Sequence, residues 1–292
     1  MKITKIIKPY IMIAPAMTGI FLFTIYPIYK LFVLSFQSVN LLNAARTRFV
    51  GWDNYVRIFA QEAFSKSIKN TAIYSFAMIV LVLGISLVMA VWLGSRKSAV
   101  NSAVQICAFT PHIISMVSVA LIFQWLMNPN HGLFNYALRY FGLPPNKFLE
   151  SSATALASVI AIATWKGLGY YTLIFIAALQ SIPVEIYEAA RLDKSGRIKT
   201  FTKITLPMIS PQIFFVLIIM TINSFKTFET IRILTSGGPN NATISIVYLI
   251  YREAFNNFRV GAGAAAGVVL LFIVTFLVII YFVNLSKKVH YQ

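Results

Sequence analysis

The run "GAGAAAGVVLLFIVTFLVIIYFVNL" at residues 261–285 holds no charged side chain. Wound as an α-helix, an apolar run of about 20 residues or more matches the hydrocarbon thickness of a bilayer. Five more stretches share this character, at roughly 10–36, 71–93, 103–127, 153–179 and 208–234. Hydrocarbon offers the backbone no hydrogen-bond partner, so each run is expected to be helical. Strands of a membrane barrel would alternate over segments of about ten residues, whereas these runs are continuous. The expected fold is an all-α integral membrane protein: one domain over residues 1–292, built as a six-span transmembrane helical bundle.

Composition agrees. The chain is 58% hydrophobic and only 11% charged, too few charges to cover a soluble surface. Its net charge of +17 comes from short basic clusters beside apolar runs, which is the pattern of membrane-protein loops and argues against nucleic acid as a partner. Cys107 is the lone cysteine and lies in an apolar run, so it excludes an internal disulfide framework and a cysteine-based zinc site and reads as packing. Lys2, Lys5 and Lys8 resemble the start of a signal peptide, and "APA" at 14–16 faintly resembles a cleavage site. Too few apolar residues separate them, and the run continues to Phe36, so an uncleaved first span is expected.

Basic residues suggest the orientation. With the N-terminus inside, the inner segments hold twelve: Lys2, Lys5, Lys8, Arg96, Lys97, Arg191, Lys194, Arg197, Lys199, Lys203, Lys287 and Lys288. The outer segments hold nine, spread over longer loops: Arg46, Arg48, Arg57, Lys66, Lys69, Arg139, Lys147, Arg252 and Arg259. Their density favours N-in and C-in. No repeat relates the halves, and no matching pair of broken spans is expected.

Between the fourth and fifth runs lies "EIYEAARLDKSGRIKTFTKITLPMISP", residues 185–211, with three acidic and five basic side chains. Pro183 suits the first turn of a helix, and Glu185 and Glu188 complement the positive end of its dipole. "YEAARLDKS" then supplies good helix formers. Ala189 and Ala190 carry almost no side chain, so another surface can approach closely. A loop serving only to orient the spans would need no ordered, small-residue helix.

This segment resembles the EAA loop of ABC-importer permeases, in which E-A-A is followed after three residues by G and, nine residues later, by I-x-L-P. Glu188, Ala189, Ala190, Ile204, Leu206 and Pro207 fit that pattern. The resemblance implies a cytoplasmic coupling loop at about 183–207 whose helix sits in a groove of a separate ATPase subunit. Arg191, Asp193, Lys194 and Gly196 would belong to the same ATPase-coupling surface. Lys194 occupies the family's glycine position, and a glycine follows two residues later. Either Gly196 takes over the turn after the helix, or Lys194 adopts a less strained geometry.

Other segments are similar to carbohydrate-uptake permeases of the maltose and glycerol-3-phosphate type. They are "FVGWDNYVRIF" (49–59), "KNTAIYS" (69–75), "PHIISMVSVALIFQWLMNPNHGLFN" (111–135), "GLGYYTLIFIAALQSIPVEIYEAA" (167–190), "SFKTFETIRILTSGGPNNAT" (224–243) and "IYREAFNNFRVGAGAAAG" (250–267). The resemblance implies a type I ABC-importer permease fold, forming half of a translocation pathway for a sugar or oligosaccharide. It further implies an extracytoplasmic solute-binding protein, a second homologous permease in a heterodimer, and two ATPase subunits carrying ATP and Mg. The chain itself would hold no cofactor and no catalytic or metal site, and would be a multi-pass protein of a bacterial-type cell membrane.

Ionisable groups inside spans are costly and mark candidate sites. Lys30 and Arg232 lie near an interface, where they can snorkel; Lys166 lies nearer mid-span. Lys226, Glu229 and Arg232 recur at helical spacing on the fifth run, so they can pair with one another. Asn223, Lys226, Thr227 and Thr230 share that spacing and suit a polar path instead. By resemblance this stretch contributes to the sugar site, with aromatic faces from Phe225, Phe228, Tyr170, Tyr171 and Trp165. Gly263 and Gly267, at G-x-x-x-G spacing, permit a close helix contact, within the bundle or with a partner permease.

The absences also direct the reading. There is no G-x-x-x-x-G-K-S/T, H-E-x-x-H or G-x-S-x-G, and the histidines at 112, 131 and 290 are scattered. An alternative of another class is an ion-coupled secondary transporter of a small polar solute, with Lys226 and Glu229 as its relay.

Overall fold

The computed structural model describes residues 2–39, 47–94 and 98–285, with side chains placed from Pro9 to Asn284. Arg46, Arg96, Lys97, Lys287, Lys288 and His290 lie outside the described residues, as do the side chains of Lys2, Lys5 and Lys8. Four helices are long and apolar enough to cross a membrane: Pro9–Ser35, Glu62–Gly94, Ala155–Gln180 and Val260–Asn284. Two further stretches are broken pairs. Ala99–Ile113 turns by 99° into Met116–Leu126, and Arg197–Met208 turns by 67° into Ser210–Phe225.

Continuous third and fifth helices were expected, and both are interrupted. Proline is part of the reason. Pro111 sits inside Ala99–Ile113 and denies the Cys107 carbonyl its usual donor. The chain then leaves the helix at Ile114 (ψ 138°), and Ser115 caps the next one by accepting from the Ser118 amide at 3.2 Å. At the second bend Pro211 deprives the Pro207 carbonyl in the same way, and the Ser210 hydroxyl donates to that oxygen at 2.6 Å. Pro207 lies within the Leu206–Met208 turn, and the break falls at Ile209. One-turn π-helical segments at Phe21–Ile25 and Phe201–Thr205 each precede a helical proline, Pro27 and Pro207, and absorb the missing bond.

The chain divides into two compact units, Met1–Phe64 with Leu249–Phe272, and Ser65–Tyr248 with Ile273–Gln292. In the first, the end of Pro9–Ser35 leaves bare carbonyls. The Asn54 amide donates to Ser35 O (2.9 Å) and Gln37 O (3.0 Å), and the Tyr55 hydroxyl donates to Ser35 Oγ. Gln37–Ser38 pairs antiparallel with Arg48–Phe49, and Phe36 packs on Phe49, Trp52 and Tyr55. A Cβ at Gly263 would lie 3.0 Å from the Ala254 methyl, and one at Gly267 would lie 3.1 Å from Leu31. Both glycines of the small-residue motif thus serve packing inside this unit.

The second unit centres on Val82, Ala90, Leu93, Phe175, Ile176, Val216 and Met220, from Glu62–Gly94, Ala155–Gln180 and Ser210–Phe225. Burial against lipid-like neighbours gives little hydrophobic gain, so cohesion comes from close packing and inter-helix hydrogen bonds of about 1 kcal/mol each. Ser75 and Ser224 share such a bond at 2.5 Å. Tyr281 accepts another from Thr221 at 3.3 Å.

Candidate functional site

Between the two long stretches of the second unit, the charged segment folds as expected into a helix, Val184–Leu192, with Pro183 as its N-cap. Glu185 lies in the first turn and Arg191 in the last, each matched to the dipole. Glu188 and Ala189 are exposed, as are Arg191, Asp193, Lys194 and Gly196. Ala190 is buried, so its small side chain serves packing inside the chain, and only Ala189 faces outward. Leu206 and Pro207 are half-buried.

The helix ends in a Schellman turn. The Ser195 amide donates to Ala190 O at 2.9 Å and the Lys194 amide to Arg191 O at 3.0 Å. Lys194 itself takes the left-handed conformation, φ 52°, whereas Gly196 is extended at φ −67°. Neither alternative drawn from the sequence holds: the turn stays at Lys194, strained, and Gly196 instead caps the following helix.

Two features escaped the sequence reading. Val184, Leu192 and Ile198 are exposed by 65%, 84% and 81% on a segment otherwise rich in charge. Exposed apolar groups rimmed by charge mark a contact surface. Tyr187, on the side away from Leu192, packs with Ala178, Ile182 and Ile209, and its hydroxyl lies 3.2 Å from Thr205 Oγ1. The helix is therefore fastened to the ends of two membrane stretches. The signal was present in the period: Tyr187 and Ala190 fall one turn apart, on the side of the helix away from Leu192.

The expected polar path is only partly assembled. Ser210–Phe225 stops at Phe225, and a separate short helix, Glu229–Leu234, follows, so Lys226, Thr227 and Thr230 do not continue the spacing of Asn223. Lys226, Glu229 and Arg232 consequently do not share one helix face. Asn223, Lys226 and Glu229 are exposed, as is Tyr170, whose ring stacks on His112 at 4.6 Å. Phe225 and Thr227 are buried, and Phe228 stacks on Tyr248. The Ser245 hydroxyl takes the freed Thr227 carbonyl at 2.8 Å. Trp165 packs edge-on against Phe123.

Lys166 is bound within the chain. Its ammonium donates to the carbonyls of Pro111 (3.0 Å), His112 (3.2 Å) and Ile114 (2.5 Å), all at the 99° break. Gln124, beyond that break, donates to Ile233 O (2.8 Å) and Leu234 O (3.1 Å), capping the short helix that starts with Glu229. Beside it a cavity of about 660 Å³ is lined by Gln124, Asn128, Glu150, Thr235 and Ser236 among others. No cluster of metal-ligating side chains occurs among the described residues.

Residues 83–291 match the model of the binding-protein-dependent transport system inner membrane component family. The chain belongs to that family. It is 35% identical over 290 residues to the sn-glycerol-3-phosphate transport system permease protein of Salmonella typhimurium, covering 97% of this chain and 96% of the relative. The corresponding protein of Yersinia pestis is 32% identical over 288 residues, with the same coverage. Among solved structures, a chain of a bacterial alginate ABC transporter, in complex with an alginate pentasaccharide-bound periplasmic protein, aligns over 100% of both chains. Its TM-score is 0.85 and its identity 26%. A second structure, of a bacterial ABC transporter that imports the acidic polysaccharide alginate, gives 0.81 and 28% over 97% of this chain and 99% of that one. The importer-permease reading of the sequence is met. This member of the binding-protein-dependent family is a multi-pass membrane transport subunit, and the resemblance seen in the coupling loop and the "TSGGP" segment extends along the whole chain.

Proposed function

We propose that this chain is one permease subunit of an ATP-driven importer in a bacterial cytoplasmic membrane, forming half of the pathway for a sugar or polyol derivative. Each bent pair counts as one span, which makes six, and both termini face the cytoplasm. Two separate ATPase subunits hold ATP and Mg, and a second homologous permease completes the pathway. An extracytoplasmic binding protein delivers the solute.

The observation that carries this reading is the Val184–Leu192 helix: apolar and charged on its outer face, fastened on its inner face to the membrane stretches by Tyr187. Its outer surface, with Val184, Glu188, Ala189, Leu192 and Ile198 beside Arg191, Asp193, Lys194 and Gly196, is the ATPase seat, and Leu206 and Pro207 back it. Closure of the ATPase pair pushes this seat and rocks the spans. Tyr170, Asn223, Lys226 and Glu229 face the pathway, and the polar cavity near Glu150 suits a hydroxylated solute on its way in. Relatives named for glycerol phosphate and alginate support an anionic member of the sugar and polyol class, as do the basic outer loops.

The test is affinity purification from native membranes in mild detergent, with mass spectrometry of what comes along. A P-loop ATPase and a second permease are expected, and the complex in liposomes should hydrolyse ATP faster with loaded binding protein. A chain that purifies alone and moves solute on an ion gradient would overturn the proposal.

A further inference from the structure

We propose that Lys166 is a positioning residue that holds the break in the third membrane stretch and thereby ties the docking helix to the solute pathway. The proposal rests on the importer reading above and adds to it a specific mechanical joint. The need for such a joint is local. A helix that stops inside hydrocarbon leaves its last carbonyls without donors, and no water is there to replace them. With the bent pair read as one span, Ala99–Ile113 stops in this way at a 99° corner, with Pro111 removing a further donor. An ammonium carries three N–H groups, and Lys166 places them on three carbonyls of the corner, those of Pro111, His112 and Ile114. A cation at a helix C-terminus also meets the negative end of the dipole. With its donors committed, Lys166 serves the corner and is not a solute ligand.

The rest of its helix turns the cap into a clamp. Gly169, one turn on, lets the backbone of Ala99–Ile113 come close enough that a Cβ there would overlap the Ala108 carbonyl and Phe109 Cα. Tyr170 stacks on the His112 ring at 4.6 Å. Trp165 packs on Phe123, beyond the corner, at 5.2 Å. Ala155–Gln180 thus grips both arms of the broken stretch, and the same helix leads through Ile182 into the docking helix. From the far arm, Gln124 caps Glu229–Leu234, whose first residue, Glu229, lies within electrostatic reach of Lys166. A push on Val184–Leu192 therefore reaches the candidate pathway through side chains in contact, with Lys166 at the corner.

The experiment uses the complete reconstituted transporter with Lys166→Arg, Lys166→Gln and Lys166→Met. Spin labels at Cys107, which is exposed and not packed as its apolar run suggests, and at Leu121→Cys report the distance across the corner. Co-purification of the ATPase and its basal ATP hydrolysis should be unchanged in all three. ATPase stimulation by loaded binding protein and solute uptake should fall about tenfold in Lys166→Met, fall less in Lys166→Gln and recover in Lys166→Arg. The distance distribution should broaden in the same order. If Lys166→Met does not accumulate, the Gln and Arg variants carry the comparison. Unchanged distances and stimulation within about twofold of the parent would overturn the proposal. So would unchanged distances with only a higher solute concentration needed for stimulation, which would make Lys166 a solute ligand. A parent complex with no stimulated hydrolysis at all would instead sink the importer reading.

Discussion

The proposed docking helix and the corner at Ile114 solve opposite problems. Val184–Leu192 keeps its own hydrogen bonds, ends in a Schellman turn, and leaves apolar and charged groups exposed. The corner gives up helical bonds, and its carbonyls are met by a side chain from 52 to 55 residues away. On the proposed reading the first region is there to be touched, so changes on its exposed side should leave the fold's stability intact. The second is built to be held, and its tolerance is small.

That difference predicts where substitution is most damaging. Gly169→Leu puts a branched side chain where even a Cβ overlaps backbone of the neighbouring helix. Backbone cannot move aside as a flexible side chain can, so the cost should reach or pass the upper end of overpacking penalties, about 3 kcal/mol. The variant should fail to accumulate in membranes, and Gly169→Ala should unfold in detergent well below the parent temperature. Normal accumulation and unfolding of Gly169→Leu would mean that the two helices are not in contact in the working protein, and the contrast with the docking helix would collapse.

Glu188→Arg is the complementary case. Glu188 is exposed, so the chain's thermal unfolding should hardly shift, while recovery of the ATPase on affinity purification should drop by about tenfold, or 1.4 kcal/mol. A stability loss as large as that of Gly169→Ala would show that the helix is structural and not a docking surface.

These two cases also show what could be read from the sequence. The apolar runs were legible because a span needs only length and hydropathy, and the Val184–Leu192 helix because its pattern is local and continuous. Ala189 and Ala190 were not separable, since their difference lies in which side Tyr187 fastens to the membrane stretches. The interruptions were hinted at only by Pro111 and Pro211. A proline alone does not say whether a helix bends or ends, and neither Lys166, which meets the carbonyls at the Ile114 corner, nor Ser245, which meets the Thr227 carbonyl past Phe225, advertises that role in its own neighbourhood. The path residues suffered most. Helical spacing was extended from Asn223 through Lys226 to Arg232, and the helix stops at Phe225.

Ser245→Ala tests that stop on a smaller scale. It strips the Thr227 carbonyl of its donor in a buried place, which should cost about 1–2 kcal/mol. The measurement is thermal unfolding in detergent against Ser245→Thr, which can keep the bond. Equal unfolding of the Ala and Thr variants would show that another donor replaces the hydroxyl, and that breaks of this kind are less dependent on one side chain than the corner at Ile114.

The smallest effect belongs to Lys194, where the docking helix carries strain of its own. A left-handed residue other than glycine costs about 1 kcal/mol, so Lys194→Gly relieves strain. Glycine also gives the unfolded chain about 0.4–1 kcal/mol of extra freedom. Losing a cation near a helix C-terminus removes about 0.3–1 kcal/mol more. These terms nearly cancel, and Lys194→Gly should unfold within about 0.5 kcal/mol of the parent. Lys194→Val has no such compensation: its branched Cβ suits the left-handed region poorly, and it loses the charge as well. Val should therefore fall below Gly by about 1 kcal/mol or more, measured by thermal unfolding with ATPase recovery recorded in parallel. If Val and Gly unfold alike, the turn is not left-handed in the assembled transporter, and the partner's groove, not the Schellman turn, sets where the docking helix ends.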